Sequence, residues 1–342
     1  MKETLFALCS AEGVSGKNCD VTKTAKDLIS KFTDDVRVDV NGNVIATTGN
    51  ADGKTLLLDA HLDQVGFIIT FIDEQGFLKL HPCGGLDTRI LLGTHVKVHT
   101  LTDKLDAVIS CIPPHLLSAG DEEKAVSMKD IWADTGLPAD VVKKTVFPGD
   151  YVTFAYTPKE LLGDMITSPA TDNRASVAAL IRCAEIIRDK KIQDYKVVFL
   201  FSLAEELGGM GARVAAFDIA PDEAIAVDVS FAKQPGVPEY NVGVLGKGPM
   251  IGIAPSLSRD ISKELFSIAQ ELNIPYQTEV MGGDTGTNAD DISGSRSGVP
   301  TGLVSIPQRN MHTQVEVVNL NDIENTAQLL AAYICRGGDI NG

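Results

Sequence analysis

Apolar residues in the N-terminal part of the chain follow first a helical and then a strand pattern. Within Val21–Phe32 they recur every three or four positions, which predicts an amphipathic helix. Val36–Val40 and Asn43–Thr47 flank an Asn-Gly pair and predict the two strands of a hairpin. Thr55–Asp59 is a short and largely apolar run, typical of a strand buried on both faces of a sheet. This order of elements predicts the beginning of an α/β domain.

The pattern changes between residues 67 and 157, where short apolar runs are separated by glycine and proline. Four of these runs predict strands, at Phe67–Ile72, Thr94–Val98, Ala107–Ile112 and Tyr151–Ala155. Closely spaced strands without long helical patterns between them are typical of a small barrel or sandwich. The sequence therefore predicts that residues 67–157 form a β-rich insertion domain.

The α/β pattern returns at residue 158 and continues to the C-terminus. Helices are predicted at Ser176–Ile187, Lys263–Leu272 and Asn321–Ile334, the last ending before Gly337-Gly338. Strands are predicted at Lys196–Ser202, Ala224–Val229 and Gly302–Ile306. Residues 1–66 and 158–342 are therefore predicted to form one doubly wound α/β domain with a mixed sheet, interrupted by the insertion.

Composition and charge narrow the class of protein. The 342 residues are 44% hydrophobic and 22% charged, as in a soluble globular protein, and suffice for about two domains. The net charge of −16 opposes a phosphate backbone, so no nucleic-acid partner is expected. The apolar runs are shorter than the roughly 18–20 residues of a membrane helix, and Met1–Cys9 lacks the apolar core of a signal peptide. No membrane partner is expected either.

The chain contains six cysteines that are scattered and form no C-x-x-C pair. They are Cys9, Cys19, Cys83, Cys111, Cys183 and Cys335. In a chain of this length such cysteines predict free thiols in a reducing compartment, and hence a cytoplasmic location.

Potential metal ligands follow four of the predicted strands. These ligands are His61 with Asp63, Glu205 with Glu206, Asp228, and His312, and Asp172 precedes the helix Ser176–Ile187. In an open α/β sheet, ligands bind beyond the carboxyl ends of the strands, so residues that are distant in sequence can meet there. The sequence therefore predicts a single site at this edge of the sheet.

Two histidines and three carboxylates, one of them shared, could hold two divalent ions, an arrangement that activates water for hydrolysis. Glu205, next to a ligand, could accept the proton of the water. Asp63, two residues after His61, could orient the imidazole ring.

Taken singly, these residues also have purely structural explanations. A histidine after a strand can serve packing, and Glu205-Glu206 can be negative charge at a helix start. Asp228 is harder to explain without a partner, because it interrupts an apolar strand.

Five segments together resemble one family, the tetrahedral, glutamyl-type aminopeptidases (metallopeptidase family forty-two). The segments are Ala60-His61-Leu62-Asp63-Gln64-Val65-Gly66, Thr171-Asp172-Asn173-Arg174, Glu205-Glu206-Leu207-Gly208, Asp228, and Arg309-Asn310-Met311-His312. The resemblance extends over essentially the whole chain. It implies a dinuclear zinc or cobalt exopeptidase whose insertion is a PDZ-like domain that mediates dimer contacts, with dimers combining into tetrahedral shells of twelve subunits.

The resemblance also implies a role for each of the candidate residues. His61, Asp172 and Asp228 would bind one ion, and Asp172, Glu206 and His312 would bind the other. Glu205 would be the general base and Asp63 the acid that orients His61. A cis peptide bond would follow the shared acid, between Asp172 and Asn173.

Two positions depart from the family pattern. Gln64 stands where the family often has glutamate, and Asn288 stands where it often has aspartate. Asn288 belongs to the polar, glycine-rich stretch from Gly282 to Gly298, which predicts a loop. We expect Asn288 to lie near the substrate pocket.

These observations predict a metallo-aminopeptidase that acts on short peptides and forms a homo-oligomer, a dodecamer or a dimer. One alternative is a dinuclear deacylase or carboxypeptidase of the same broad fold, because the ligand set barely separates these enzymes. A glycoside hydrolase using Glu205 and Glu206 is a second alternative, although adjacent carboxylates suit that chemistry poorly. A third is a non-catalytic assembly scaffold.

Overall fold

The computed structural model describes residues 1–16, 20–33, 35–118, 120 and 124–335, so Cys19 and Gly337-Gly338 lie outside the described residues. The N-terminal part contains two helices followed by three strands. They are α1 (Lys2–Ser10), α2 (Asp20–Ile29), β1 (Asp35–Val38), β2 (Val44–Gly49) and β3 (Lys54–His61). The predicted helix is thus α2, and the predicted hairpin is the antiparallel pair β1–β2.

The next six strands curl into a closed antiparallel barrel with the order β4-β5-β8-β7-β6-β9. They are β4 (Gly66–Ile72), β5 (Leu78–Cys83), β6 (His95–His99), β7 (Lys104–Ser110), β8 (Trp132–Asp134) and β9 (Tyr151–Phe154), with helix α3 (Ala139–Thr145) before the last. Its interior is filled by a separate apolar cluster that includes Phe67, Leu80 and Val98. Pairing of β9 with both β4 and β6 closes the barrel.

The remaining elements complete the α/β part. In chain order they are β10 (Lys159–Glu160), β11 (Met165–Ser168), α4 (Thr171–Ile187), β12 (Tyr195–Ser202), α5 (Met210–Ile219), β13 (Glu223–Phe231), β14 (Met250–Ile253), α6 (Arg259–Glu271), β15 (Gln277–Val280), α7 (Asn288–Ser293), β16 (Thr301–Gln308), β17 (Glu316–Asn319) and α8 (Leu320–Ile334). Strands β10, β11 and β17 form a small antiparallel sheet of their own.

An eight-stranded mixed sheet, in the order β1-β2-β12-β3-β13-β16-β14-β15, is the centre of the α/β part. Its four inner strands β12, β3, β13 and β16 are parallel to one another. Their carboxyl ends therefore lie along one edge of the sheet. The predicted fold, a doubly wound α/β sheet with an inserted small barrel, is confirmed.

Helices cover both faces of this sheet, which explains why its inner strands are apolar at successive positions. On one face Leu56, Leu58 and Phe199 pack with apolar residues of α1, α2, α4, α6 and α8. On the other face Leu57 and Val198 pack with residues of α5 and α7. This double burial holds the strand ends in fixed relative positions.

The glycine-rich stretch from Gly282 to Gly298 differs from its prediction as a loop, because it contains the short helix α7. The side chain of Thr287 caps this helix by accepting a hydrogen bond from the Ala289 amide. Ala289 and Ile292 of α7 are buried. Two apolar positions do not establish a helical period, which is why the pattern alone did not reveal this helix.

Candidate metal centre

The strand register brings the predicted site residues together. His61, at the end of β3, pairs with Ser202, at the end of the parallel strand β12. Glu205 and Glu206 follow β12 after two intervening residues, and Asp228 lies in the second half of β13. His312 follows β16, and Asp172 is in the first turn of α4. Every side chain predicted from the strand ends is thus at the same edge of the sheet.

His61, Asp172 and Asp228 form the first cluster of potential ligands. The Nε2 atom of His61 lies 3.3 Å from Asp172 Oδ1 and 3.7 Å from Asp228 Oδ1. All three residues are buried. Asp228 Oδ1 also accepts a 2.8 Å hydrogen bond from the amide of Val229, which fixes its side chain.

Asp172, Glu206 and His312 form the second cluster. The Nε2 atom of His312 lies 3.3 Å from Asp172 Oδ2 and 3.5 Å from Glu206 Oε1. Asp172 therefore presents one carboxylate oxygen to each histidine. This is the arrangement needed of a carboxylate that is shared by two ions.

The backbone at Asp172 departs from regular helix geometry. The peptide bond between Asp172 and Asn173 is cis, as the family resemblance implies, and both residues have non-helical backbone angles although they lie within α4. The Asn173 side chain donates a 2.8 Å hydrogen bond to the carbonyl of Val227, next to Asp228. The start of α4 is thereby joined to the part of β13 that carries a potential ligand.

Asp63 contacts the loop of the two glutamates as well as His61. Its carboxylate accepts hydrogen bonds from the amides of Glu205, at 3.2 Å, and Glu206, at 3.3 Å. The Nδ1 atom of His61 lies 3.5 Å from the Asp63 carboxylate but 3.0 Å from the Asp63 carbonyl oxygen. The carbonyl is thus the nearer partner of the ring, and the carboxylate links β3 to the Glu205–Glu206 loop.

Burial and the crowding of carboxylates shift several pKa values. Burial alone would lower the pKa of His61, but Glu205, Asp172 and other nearby acids outweigh it and raise that pKa well above its usual value. Burial raises the pKa of Glu205 to about 6. Burial, together with the charge of Asp172, raises the pKa of Glu206 well above its usual range. The centre is therefore short of positive charge and favours a bound cation.

The donor atoms fit two divalent ions. Those of His61, Asp172 and Asp228 all lie within 4.8 Å of one another. The same holds for Asp172, Glu206 and His312. The Oε1 atom of Glu206 is buried and accepts no hydrogen bond, a costly state that a cation would relieve. Imidazole combined with carboxylate is a donor set that zinc accepts at catalytic sites.

A turn of the barrel approaches the centre closely. A Cβ atom on Gly84 would lie 3.1 Å from Glu206 Oε2, and one on Gly85 would lie 3.2 Å from His312 Nδ1. Gly84 also has a φ of +88°, in the left-handed region that favours glycine. A larger residue at either position would press against a potential ligand. The barrel thus forms one side of the centre.

Three buried polar residues lie near the centre, and two of them, Asp59 and Glu316, were not identified from the sequence. Asn288, expected near the substrate pocket, is buried, and its amide donates to Asp59, at 2.8 Å, and Ser202, at 2.9 Å. Asp59 itself was not identified, although a carboxylate in an apolar strand is the same signal that pointed to Asp228. Glu316, which contacts two potential ligands, gave no signal because β17 was not predicted.

Known proteins match this chain in sequence and in structure over most of its length. The sequence profile of the M42 glutamyl aminopeptidase family matches residues 42–329. A lysyl aminopeptidase of Pyrococcus furiosus is 32% identical over 336 residues, covering 97% of this chain and 96% of that protein. The structure of aminopeptidase APDkam598 from the archaeon Desulfurococcus kamchatkensis has a TM-score of 0.90 at 33% identity, covering 97% and 93%. The TET1 peptidase of Pyrococcus horikoshii has a TM-score of 0.86 at 31% identity, covering 97% and 98%.

Proposed function

The chain belongs to the M42 glutamyl aminopeptidase family, and on that basis we propose that it removes N-terminal residues from short peptides by metal-assisted hydrolysis. The observation that carries the proposal is the pair of ligand clusters that share Asp172. Aminopeptidase activity is the family property. The preference for short peptides and the use of two ions in this chain are proposals.

We assign His61, Asp172 and Asp228 to one ion. Asp172, Glu206 and His312 are assigned to the other. The unsatisfied Oε1 atom of Glu206 and the two histidines facing Asp172 support this assignment. Zinc is the first choice of ion, and cobalt the second, because both accept imidazole and carboxylate ligands.

Two bound divalent ions would supply the Lewis acidity that makes water nucleophilic near neutral pH and polarises the peptide carbonyl. We propose that Glu205 takes the proton of the attacking water. The distance of 3.7 Å between its Oε2 atom and His61 Nε2, at the first ligand cluster, supports this role. As the carbon–nitrogen bond breaks, the same carboxyl group can deliver that proton to the nitrogen, which then leaves as the neutral amine. Asp63 holds the Glu205 amide and so positions this carboxylate.

Removal of the metal tests the proposed reaction directly. Prolonged chelation is expected to abolish the hydrolysis of aminoacyl-p-nitroanilides, because no residue of the centre replaces the ions. Zinc or cobalt should restore it, with two equivalents bound per chain. N-acetylated amino acids, assayed by the release of acetate, should stay unreactive, which separates an aminopeptidase from a deacylase. Full activity after chelation would contradict the proposal, and so would activity that chelation abolishes but no added ion restores.

We further propose that residues 67–157 act as a dimerisation domain in a closed homo-oligomer, with a dodecamer first and a dimer second. The TET1 peptidase of Pyrococcus horikoshii can assemble into a tetrahedron or a large octahedral shell. Large apolar side chains lie exposed on the barrel and its loops, including Phe71, Leu101 and Phe147. Closed symmetry is the common form of soluble oligomers.

Light scattering is expected to give a mass of about twelve times the 36.4 kDa chain at micromolar protein with zinc present. Phe71→Lys and Leu101→Lys are expected to lower that mass if the barrel carries the contact, since a buried lysine would lose its hydration. Val40→Lys is the matched control, because Val40 is a fully exposed residue of the α/β part. A monomer mass for the wild-type chain would rule out the proposed assembly.

We propose a cytoplasmic location on the basis of the thiols. Five cysteines in the described part of the chain are free, and three of them are buried. Unpaired cysteines are typical of proteins in a reducing compartment. No helix among the described residues has the length and apolar character needed to span a membrane.

A further inference from the structure

Glu316 contacts the backbone of two proposed metal ligands although it is not a ligand itself. It is the first residue of β17, four positions after His312, and only 1% of its surface is exposed. Its Oε1 atom accepts a 3.0 Å hydrogen bond from the amide of His312. Its Oε2 atom accepts 3.0 Å hydrogen bonds from the amide of Asp172 and the hydroxyl of Thr171. One carboxylate thus spans the backbones of the shared ligand and of the second histidine.

The backbone at both ends of this link has an unfavourable conformation. His312 has a φ of +60°, and Ala170, which precedes Thr171, has a φ of +64°. Left-handed angles are disfavoured for residues with a side chain and persist only where other contacts enforce them. The Oε2 atom is further held by the side chain of Gln308, at 3.4 Å. Glu316 is the acceptor on which these contacts converge.

We propose that Glu316 is a positioning residue that sets the distance between Asp172 and His312 and thereby maintains the second ion site. This inference rests on the proposed function, because it concerns the ligands assigned there. Supporting residues of this kind fix the orientation of metal ligands in many proteins. The first ion site shares Asp172 but takes its other two ligands, His61 and Asp228, from residues that Glu316 does not contact. Loss of Glu316 should therefore weaken the second site more than the first.

Glu316→Gln separates positioning from packing, because glutamine has nearly the same shape. The glutamine carbonyl would take the Oε2 position, where three donors surround it. The NH₂ group would then face the amide of His312, so that two donors oppose each other. The substitution is therefore directed at His312 and leaves the contact to Asp172 in place. Glu316→Asp, one methylene shorter, keeps the charge but cannot span both backbones.

The experiment titrates zinc into metal-free protein in competition with a chromophoric chelator. The wild-type chain is expected to bind two equivalents. Glu316→Gln should retain one equivalent of unchanged affinity and weaken the other by roughly 10- to 100-fold, the usual effect of losing a supporting contact. Glu316→Asp, which can release the shared Asp172, should weaken the second site at least as much. Two ions of wild-type affinity in either variant would overturn the positioning role.

Asp322→Asn is the matched control for a buried carboxylate. Asp322 is also fully buried, and it accepts 2.7 Å hydrogen bonds from the amides of Gly246 and Gly248, which are not ligands. This variant should lower the melting temperature of the metal-free chain while binding both zinc ions normally. The same selective zinc loss in Asp322→Asn would overturn the inference. A wild-type chain that binds fewer than two ions would instead refute the proposed function, so the two failures are distinguishable.

Discussion

Glu205→Gln is expected to lower kcat by roughly 10²–10⁴-fold, the usual contribution of a general base, while both metal ions stay bound. The glutamine keeps the size of the side chain, and the backbone amide still donates to Asp63. It cannot accept a proton from water, however. In the metal-free centre, burial raises the pKa of Glu205 to about 6, which brings it toward the range that suits a general base near neutral pH. Steady-state kinetics together with metal analysis of the same sample measure both effects.

Glu223→Gln is the matched control for this prediction. Glu223 is the first residue of β13, at the opposite end of that strand from Asp228, and it accepts hydrogen bonds from Tyr195 and Tyr333. Its replacement should leave kcat unchanged, whatever it does to stability. If Glu205→Gln retains both metal ions and wild-type kcat, Glu205 has no part in proton transfer.

His61→Ala is expected to reduce the metal content and bring the activity to background. The imidazole is the only nitrogen donor in its cluster, so the first ion would keep only carboxylate ligands. We expect the affinity of that site to fall by more than the roughly 100-fold that loss of a mere supporting contact costs. Metal content after dialysis against buffered zinc is the measurement, since it does not depend on catalysis.

His99→Ala controls for the loss of a buried imidazole. His99 belongs to the barrel strand β6, where its ring contacts Glu12 at 2.9 Å and Thr153 at 2.8 Å, outside the metal centre. Both variants remove a buried ring and leave a cavity, so both should be destabilised. Only His61→Ala should lose zinc. Equal zinc binding by His61→Ala and the wild-type chain would exclude His61 as a ligand.

The helices and strands could be predicted from the sequence where their buried positions form a long and regular pattern. Strand β3 is apolar at successive positions because helices cover both of its faces, and the sequence alone predicted it as a doubly buried strand. The helix α7 was missed because it is short and has too few apolar positions to show a period. Elements of the barrel such as β5 and β8 were missed for a related reason, since short strands between turns carry little signal.

The fold class and the chemical types at the centre follow from the amino-acid sequence alone, because ligands that follow parallel strands must meet at the edge where those strands end. Which atoms face each other depends instead on the packing of the whole chain. That packing places the two oxygens of Asp172 toward different histidines, and it brings Gly84 of the barrel against Glu206. The role proposed for Glu316 also depends on packing, because it rests on the distance that the side chain spans between the backbones of Asp172 and His312. Such distances depend on contacts between elements that are far apart in sequence, and no local pattern of residue types encodes them.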